Sequence, residues 1–409
     1  MGQVQGKARS LEAVWICLLL LVLPMTVGGC TDAREIEDVG FIMGLGIDRA
    51  EAGAGRASEE LRVWVQVVIP SSKPEEAQHG TAWLGSAVGG SVWQALRALE
   101  TRSGRSLFLG HVRTVVLGEE FARAGIAEAL DIFARDAQFR YKSLLVVTPD
   151  SVEELLSVES PQEPMASTLI NSIMRNADRP STAPMSTFLR VITSLEQAGD
   201  QPLLARVSLP DQKVGQGGEA AGAPAGGGPT APPRASQGQG GAEGGGPSEA
   251  GPGGQTQQKP QELEVCGAAV FHGDKMIGWL SSEETAMALM LRNELQRYSF
   301  TAPAPGDAPG TIGVFVMDAT SSIRTGRIEP DLSRVPVHIT VKGHVEIREI
   351  KSPREFLTPE EVQRINDELS KKMQDELTHC VQLAQREFGT DFLGVGEAFR
   401  KRLSVRRWE

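Results

Sequence analysis

The spacing of apolar and polar residues changes along the chain, and each change marks an element. Across 61–69, Val63, Val65 and Val67 alternate with Arg62, Trp64 and Gln66 until Pro70 ends the run, which predicts a strand. Ser91 is placed to cap a helix carrying Val92, Trp93, Leu96 and Leu99. The β-branched run at 112–117 predicts another strand, followed by a helix that buries Phe121, Ile126, Leu130 and Phe133. A third strand is expected at 143–147, with Ser151 and Glu154 as a capping box for the helix after it. Ser186 opens a helix with Phe188, Leu189, Val191, Ile192 and Leu195 on its apolar stripe.

The pattern then stops. Of the 46 residues at 215–260, 16 are Gly and 7 are Pro, and the only hydrophobic type is Ala. Such a stretch cannot bury enough apolar surface to offset its ordering entropy, so a disordered linker is expected. A functional polymer tether is one reading of it; an expanded surface loop is the favoured one, because lengthening a loop costs little per doubling. It separates an N-terminal region at 30–214, read as one domain or two, from a C-terminal region at 261–409.

The C-terminal region opens with a hairpin signal, Gly267-Ala268-Ala269-Val270-Phe271 and Lys275 to Leu280 flanking His272-Gly273-Asp274. Ser281 and Glu284 cap a helix running towards Tyr298, and 313–319, 322–328 and 335–350, broken at Gly343, read as antiparallel strands. Thr358, Pro359 and Glu361 supply N-cap, first-turn proline and capping glutamate together. Val362, Ile365, Leu369, Met373, Leu377, Cys380 or Val381, Ala384 and Phe388 repeat at helical spacing to Gly389. The resulting helix at 359–388 is about 45 Å long and is expected to lie across a sheet; binding a partner helix is the alternative. The whole pattern predicts an α+β, mixed α/β chain of several domains, sheets packed with helices.

Residues 1–29 read as an export signal, with Lys7 and Arg9 ahead of a short apolar stretch at 14–23 that Pro24 interrupts. The run is too short for a comfortable membrane span. Val27-Gly28-Gly29-Cys30 resembles a bacterial lipobox, in which the cysteine thiol accepts a lipid and small neighbours admit the processing enzymes. Cys30 is the one candidate site residue, for lipidation; an ordinary signal followed by a chance cysteine, or an uncleaved anchor, is the alternative. A single acyl chain holds weakly, whereas two or more hold stably.

The formal net charge of −11 argues against a nucleic-acid partner. It also implies that something other than a polybasic patch holds the chain at a membrane. Cys266 and Cys380 could pair in an oxidising compartment or stay as buried free thiols. No phosphate loop, zinc-protease helix, nucleophile elbow or paired-cysteine motif occurs, and Gly44-Leu45-Gly46 lacks the third glycine of a dinucleotide fingerprint. His79, His111, His272, His338, His344 and His379 show no ligand spacing, so no catalytic residue, metal or cofactor is expected.

An ordered set of short strings spans nearly the whole mature chain. They are Gly29-Cys30-Thr31-Asp32, Glu35-Ile36, Gly46-Ile47-Asp48, Val65-Gln66 with Pro70, Gly110-His111, Leu130-Asp131 with Arg135-Asp136, and Arg140. Past the linker come Gly267 to Phe271, Gly278-Trp279-Leu280, Glu283-Glu284, Gln385 and the run from Phe388 to Gly396. In this order the chain resembles the Ger(x)C family of spore germination lipoproteins, the C subunits of nutrient germinant receptors. The resemblance implies a non-enzymatic subunit, lipid-anchored on the outer face of the spore inner membrane. It implies A-type and B-type receptor membrane subunits as partners, and leaves any contact with the small-molecule germinant unassigned. An extracytoplasmic solute-binding lipoprotein and a cell-wall-active enzyme are the competing readings.

Overall fold

The computed structural model describes residue 15 and residues 38–51, 60–68, 82–176, 181–197, 199–210, 262–303, 310–326, 335–351 and 358–401. Cys30, the 215–260 segment and, Trp15 apart, the signal expected at 1–29 lie outside the described residues.

The first elements are β1 (Val39–Arg49), β2 (Leu61–Val68), β3 (Ala82–Gly89), α1 (Val92–Ser103), β4 (Ser106–Phe108) and β5 (Thr114–Gly118). There follow α2 (Glu119–Ala124), α3 (Ala127–Arg135), β6 (Leu144–Thr148), α4 (Val152–Leu156), α5 (Ala166–Arg175), α6 (Phe188–Glu196) and β7 (Leu203–Ser208). Beyond the linker lie β8 (Glu264–His272), β9 (Lys275–Leu280), α7 (Ser282–Leu291), β10 (Arg297–Pro303), β11 (Thr311–Thr325) and β12 (Val337–Lys351). The last helices are α8 (Pro359–Gln382) and α9 (Val395–Arg400).

A mixed sheet runs β3-β2-β1-β5-β6-β7-β8-β9, with β4 beside β1. Strands β1, β5, β6 and β7 are parallel, and the flanking pairs are antiparallel. Strand β7 pairs with β8, so the sheet is continuous across the Gly/Pro-rich segment. Helices α1, α2, α3 and α6 cover one face, where Val63, Val65 and Val67 meet Leu96, Leu99, Phe133 and Phe188. Helices α4 and α5 cover the other, against Trp64, Val116 and Val146.

That second layer explains why the polar side of β2 is sealed as well. Gln66 is buried, donating to the Leu156 carbonyl (2.7 Å) and accepting from the Ser167 N–H (3.1 Å). A Cβ on Gly44 would overlap Ser167, and one on Gly46 would overlap Val152, so both glycines let helices sit directly on the β1 backbone.

A second, antiparallel sheet, β10-β11-β12, carries α8 across it. Ile365 and Leu369 of α8 pack on Ala302, Ile312 and Val314. Further along, Cys380, Leu383 and Ala384 pack with α7. The capping box of Thr358 and Glu361 forms in both directions. The helix continues as a π turn, Leu383–Phe388, and stops at Gly389 in the left-handed conformation (φ 59°). The architecture is thus mixed α/β and multi-domain, its C-terminal helix lying on a sheet.

Several elements differ from their sequence pattern. The helix expected through Phe121 and Phe133 is two, α2 and α3, split at Gly125 with φ 130°. The helix expected to reach Tyr298 ends at Leu291, because Asn293 turns to φ 59° and Glu294 and Leu295 fold back onto the Leu289 carbonyl; Tyr298 lies in β10. The strands expected at 313–319 and 322–328 are one, β11, kinked by a bulge near Asp318 (φ 50°). Strand β12 passes Gly343 unbroken. Thr187, not Ser186, caps α6; the Ser186 hydroxyl is buried, donating to the Leu145 carbonyl and accepting from the Ala205 N–H. Trp93 and Leu189 leave their expected apolar stripes and stand 52% and 56% exposed, and Val362 is exposed too. Trp93 lies under the Arg97 guanidinium instead, 4.3 Å from its ring centre.

Candidate functional site

Cys30, the one site residue expected from sequence, lies outside the described residues. Among the described residues no cluster of three or more His, Cys, Asp or Glu is placed to hold a metal ion. His111 packs between Phe41 and Phe108, His272 bonds to Thr390 at 3.1 Å, and His379 lies 3.5 Å from Glu284; His338 and His344 stand on β12. No two of these converge with a nucleophile. Cys266 and Cys380 are free thiols. Burial pushes the Cys266 thiol up, and burial reinforced by Glu284 pushes Cys380 up to about 12.

The best-built polar assembly instead joins the two halves of the chain. Arg292, just past α7, has a side chain only 8% exposed. Its Nη1 meets Asp200 Oδ1 at 2.8 Å, its Nε meets Glu294 Oε1 at 2.8 Å, and Nη1 also donates to the Phe392 carbonyl at 3.0 Å. The Ser194 hydroxyl donates to Asp200 Oδ2 (2.7 Å), and Arg190 pairs with Glu294. Burial pushes the Asp200 carboxyl up, but the Arg292 charge and hydrogen bond, with Ser194 and Arg190, outweigh it and hold the group below the usual carboxylate range. An open groove of about 900 Å³ runs beside this knot, lined among others by Leu189, Arg190, Asn293, Ser321 and Lys401.

Among the described residues, several of the strings singled out in the sequence make packing and capping contacts. The Asp48 carboxyl accepts N–H groups from Arg49 and Phe121 at the start of α2, and a side chain on Gly118 would overlap it. Gly278 leaves room for the Phe388 ring. Asp391 accepts from the N–H groups of Leu393 and Val395, both at 3.1 Å, and from Gly396, fixing the start of α9. Gly396 in turn lies against the Gly199 backbone, one residue from Asp200. Phe392 and Leu393, between these anchors, are buried. Arg190 and Asp200 on one side and Arg292 and Glu294 on the other carry no local signature, because the two pairs meet across 92 positions of chain.

Comparison with known proteins places the chain in a family. Residues 32–209 match the family model described as spore germination protein N-terminal domain, and residues 266–409 match spore germination B3/GerAC like, C-terminal. Spore germination protein KC of Bacillus subtilis (strain 168) is 23% identical over 416 residues, covering 98% of this chain and 89% of that protein. The putative spore germination protein YfkR of the same organism is 22% identical over 339 residues, covering 81% of this chain and 74% of its own. The crystal structure of the GerBC protein aligns with a TM-score of 0.47 at 15% identity, covering 92% of each chain. With its two halves matched in order by the N-terminal and C-terminal models, the chain belongs to the Ger(x)C family of spore germination proteins.

Proposed function

We propose that this chain is the lipid-anchored, non-enzymatic C subunit of a spore germinant receptor, held by acyl chains on Cys30 at the outer face of the spore inner membrane. There it docks A-type and B-type membrane subunits and takes part in triggering germination. The observation that carries this reading is the tandem family match, which starts at residue 32, two positions after the lipobox cysteine. A hydrophilic body needs a tether to stay at a bilayer, and among the described residues no helix is long and apolar enough to cross one. The test is detergent co-purification from spores with A-type and B-type subunits, beside the Cys30→Ala chain. The variant is expected to leave the membrane fraction in a high-salt wash, which screens any electrostatic contact, and germination to slow. A Cys30→Ala chain that stays membrane-bound at high salt in normally germinating spores contradicts the anchoring role.

The groove beside Arg292 is where the competing solute-binding reading would place its ligand. Its cations and carboxylates already neutralise one another, which favours docking over ligand capture. A thermal-shift screen with amino acids and sugars separates the two: a ligand at 100 times its dissociation constant would stabilise the chain by about 2.7 kcal/mol.

A further inference from the structure

Strands β1, β5 and β6 are parallel, with Gly44, Thr114 and Leu144 in register, so the residues just before them share one end of the sheet. The Arg113 N–H donates to the Met43 carbonyl and the Leu144 N–H to the Arg113 carbonyl, both at 2.8 Å, which ties that end together. It is basic. Arg105 lies against Gly40, and Arg113 and Arg140 are close enough to His111 for their charges, after burial, to lower its pKa. Lys142 follows, and its carbonyl accepts from Arg175. Arg113, Arg140 and Lys142 are exposed, Arg105 is half-buried, and none of the four forms an ion pair with the described residues. Beside them Tyr141, 52% exposed and stacked on Phe188, and exposed Leu189 offer an amphipathic ring and an apolar side chain. The Leu189 N–H donates to the Tyr141 carbonyl at 3.0 Å, so the two sit together.

This is also the end from which the chain leaves towards Cys30. The eight residue steps from Cys30 to Asp38 span no more than about 30 Å even when fully extended. The stem is itself acidic, with Asp32, Glu35, Glu37 and Asp38 against Arg34, so any attraction to anionic headgroups must come from the sheet end. We propose that Arg105, Arg113, Arg140 and Lys142, with Tyr141 and Leu189, form a membrane-facing surface that docks on anionic phospholipid headgroups and sets the orientation of the anchored chain. The inference rests on the anchoring reading for its geometry, but its contact is electrostatic and interfacial and needs no acyl chain.

The experiment uses the mature chain from residue 30 carrying Cys30→Ser, so that no lipid contributes. Co-sedimentation is measured with vesicles of phosphatidylglycerol mixed with phosphatidylcholine, and with pure phosphatidylcholine, at low and high salt. Binding to the anionic vesicles alone, weakening with salt, is expected. Each cation near the surface is worth about fivefold in partition, so Arg113→Glu, Arg140→Glu and Lys142→Glu together should lower binding by about a hundredfold. Arg364→Glu, Lys371→Glu and Arg386→Glu, exposed around α8 and equal in net charge change, should leave it near the parent value. Should the triple reversal misfold, the pair Arg113→Gln and Arg140→Gln is expected to lose about 25-fold. Equal binding to both vesicle types, loss in the α8 variant as large as in the sheet-end variant, or no binding at all overturns the proposal. Binding to soluble polyglutamate as tight as to the vesicles also overturns it, assigning the surface to an acidic protein. None of these results depends on whether Cys30 is acylated, which mass spectrometry reads separately.

Discussion

Arg292 Nη1 and Asp200 Oδ1 stand 2.8 Å apart although 92 positions, including the whole Gly/Pro-rich segment, separate them in the chain. The pair ties the loop after α6 to the turn after α7, and through the Phe392 carbonyl to the C-terminal segment. Side-chain exposures of 8% and 19% leave little water to take over if either partner is lost. Asp200→Ala is therefore expected to cost about 3 kcal/mol in a urea titration, since the guanidinium is left buried with one of its two carboxylate partners gone. Replacing both residues should cost less than the sum of the single changes. Additive losses would show that the contact is not coupled.

Asp200 also predicts a pH dependence with a definite sign. Its pKa is lower in the folded chain than the unfolded value of about 3.9, so the unfolded state binds more protons as the pH falls. The stabilisation is complete above the unfolded pKa and is lost as the pH drops through the folded pKa. Asp200→Asn should thus differ most from the parent at neutral pH and converge with it below about pH 4, as read by urea midpoints across the acid range.

The thiols offer a probe of opening. Cys380 is buried, donates weakly to the Glu284 carbonyl and has its pKa pushed up to about 12, so almost no thiolate forms near neutrality. Alkylation of Cys380 in the native chain should be far slower than in urea, and should track opening of the contact between α7 and α8. Labelling as fast as a free thiol in native buffer would contradict the packing of α8.

Two positions on one helix separate the true core face from the apparent one. Leu99→Ala should cost about 2–5 kcal/mol, because the side chain is fully enclosed. Trp93→Ala should cost about 1 kcal/mol or less, the ring being half in water under Arg97. Comparable losses at the two positions would refute the register of α1.

Much of this fold was legible where local chemistry decides it. The cap of Thr358, Pro359 and Glu361, the turn at Gly273 and the valine alternation of β2 each work within a few residues. What escaped depends on neighbours distant in sequence. Gln66 reads as the polar side of a half-exposed strand until α4 and α5 cover it. Trp93 and Leu189 satisfy a helical stripe in spacing yet face away from the sheet. An acidic total also concealed a basic end, because Arg105, Arg113, Arg140 and Lys142 are scattered along the chain and meet only through parallel strand register. The knot at Arg292 left no local trace for the same reason.

The proposed lipid anchoring turns on one sulfur atom. Intact-mass and peptide mass spectrometry of the chain purified from spores reads it directly: an amino terminus at Cys30 carrying diacylglyceryl is predicted, with residues 1–29 gone. A mature chain whose Cys30 is unmodified, or one that still retains the leader, contradicts lipid anchoring.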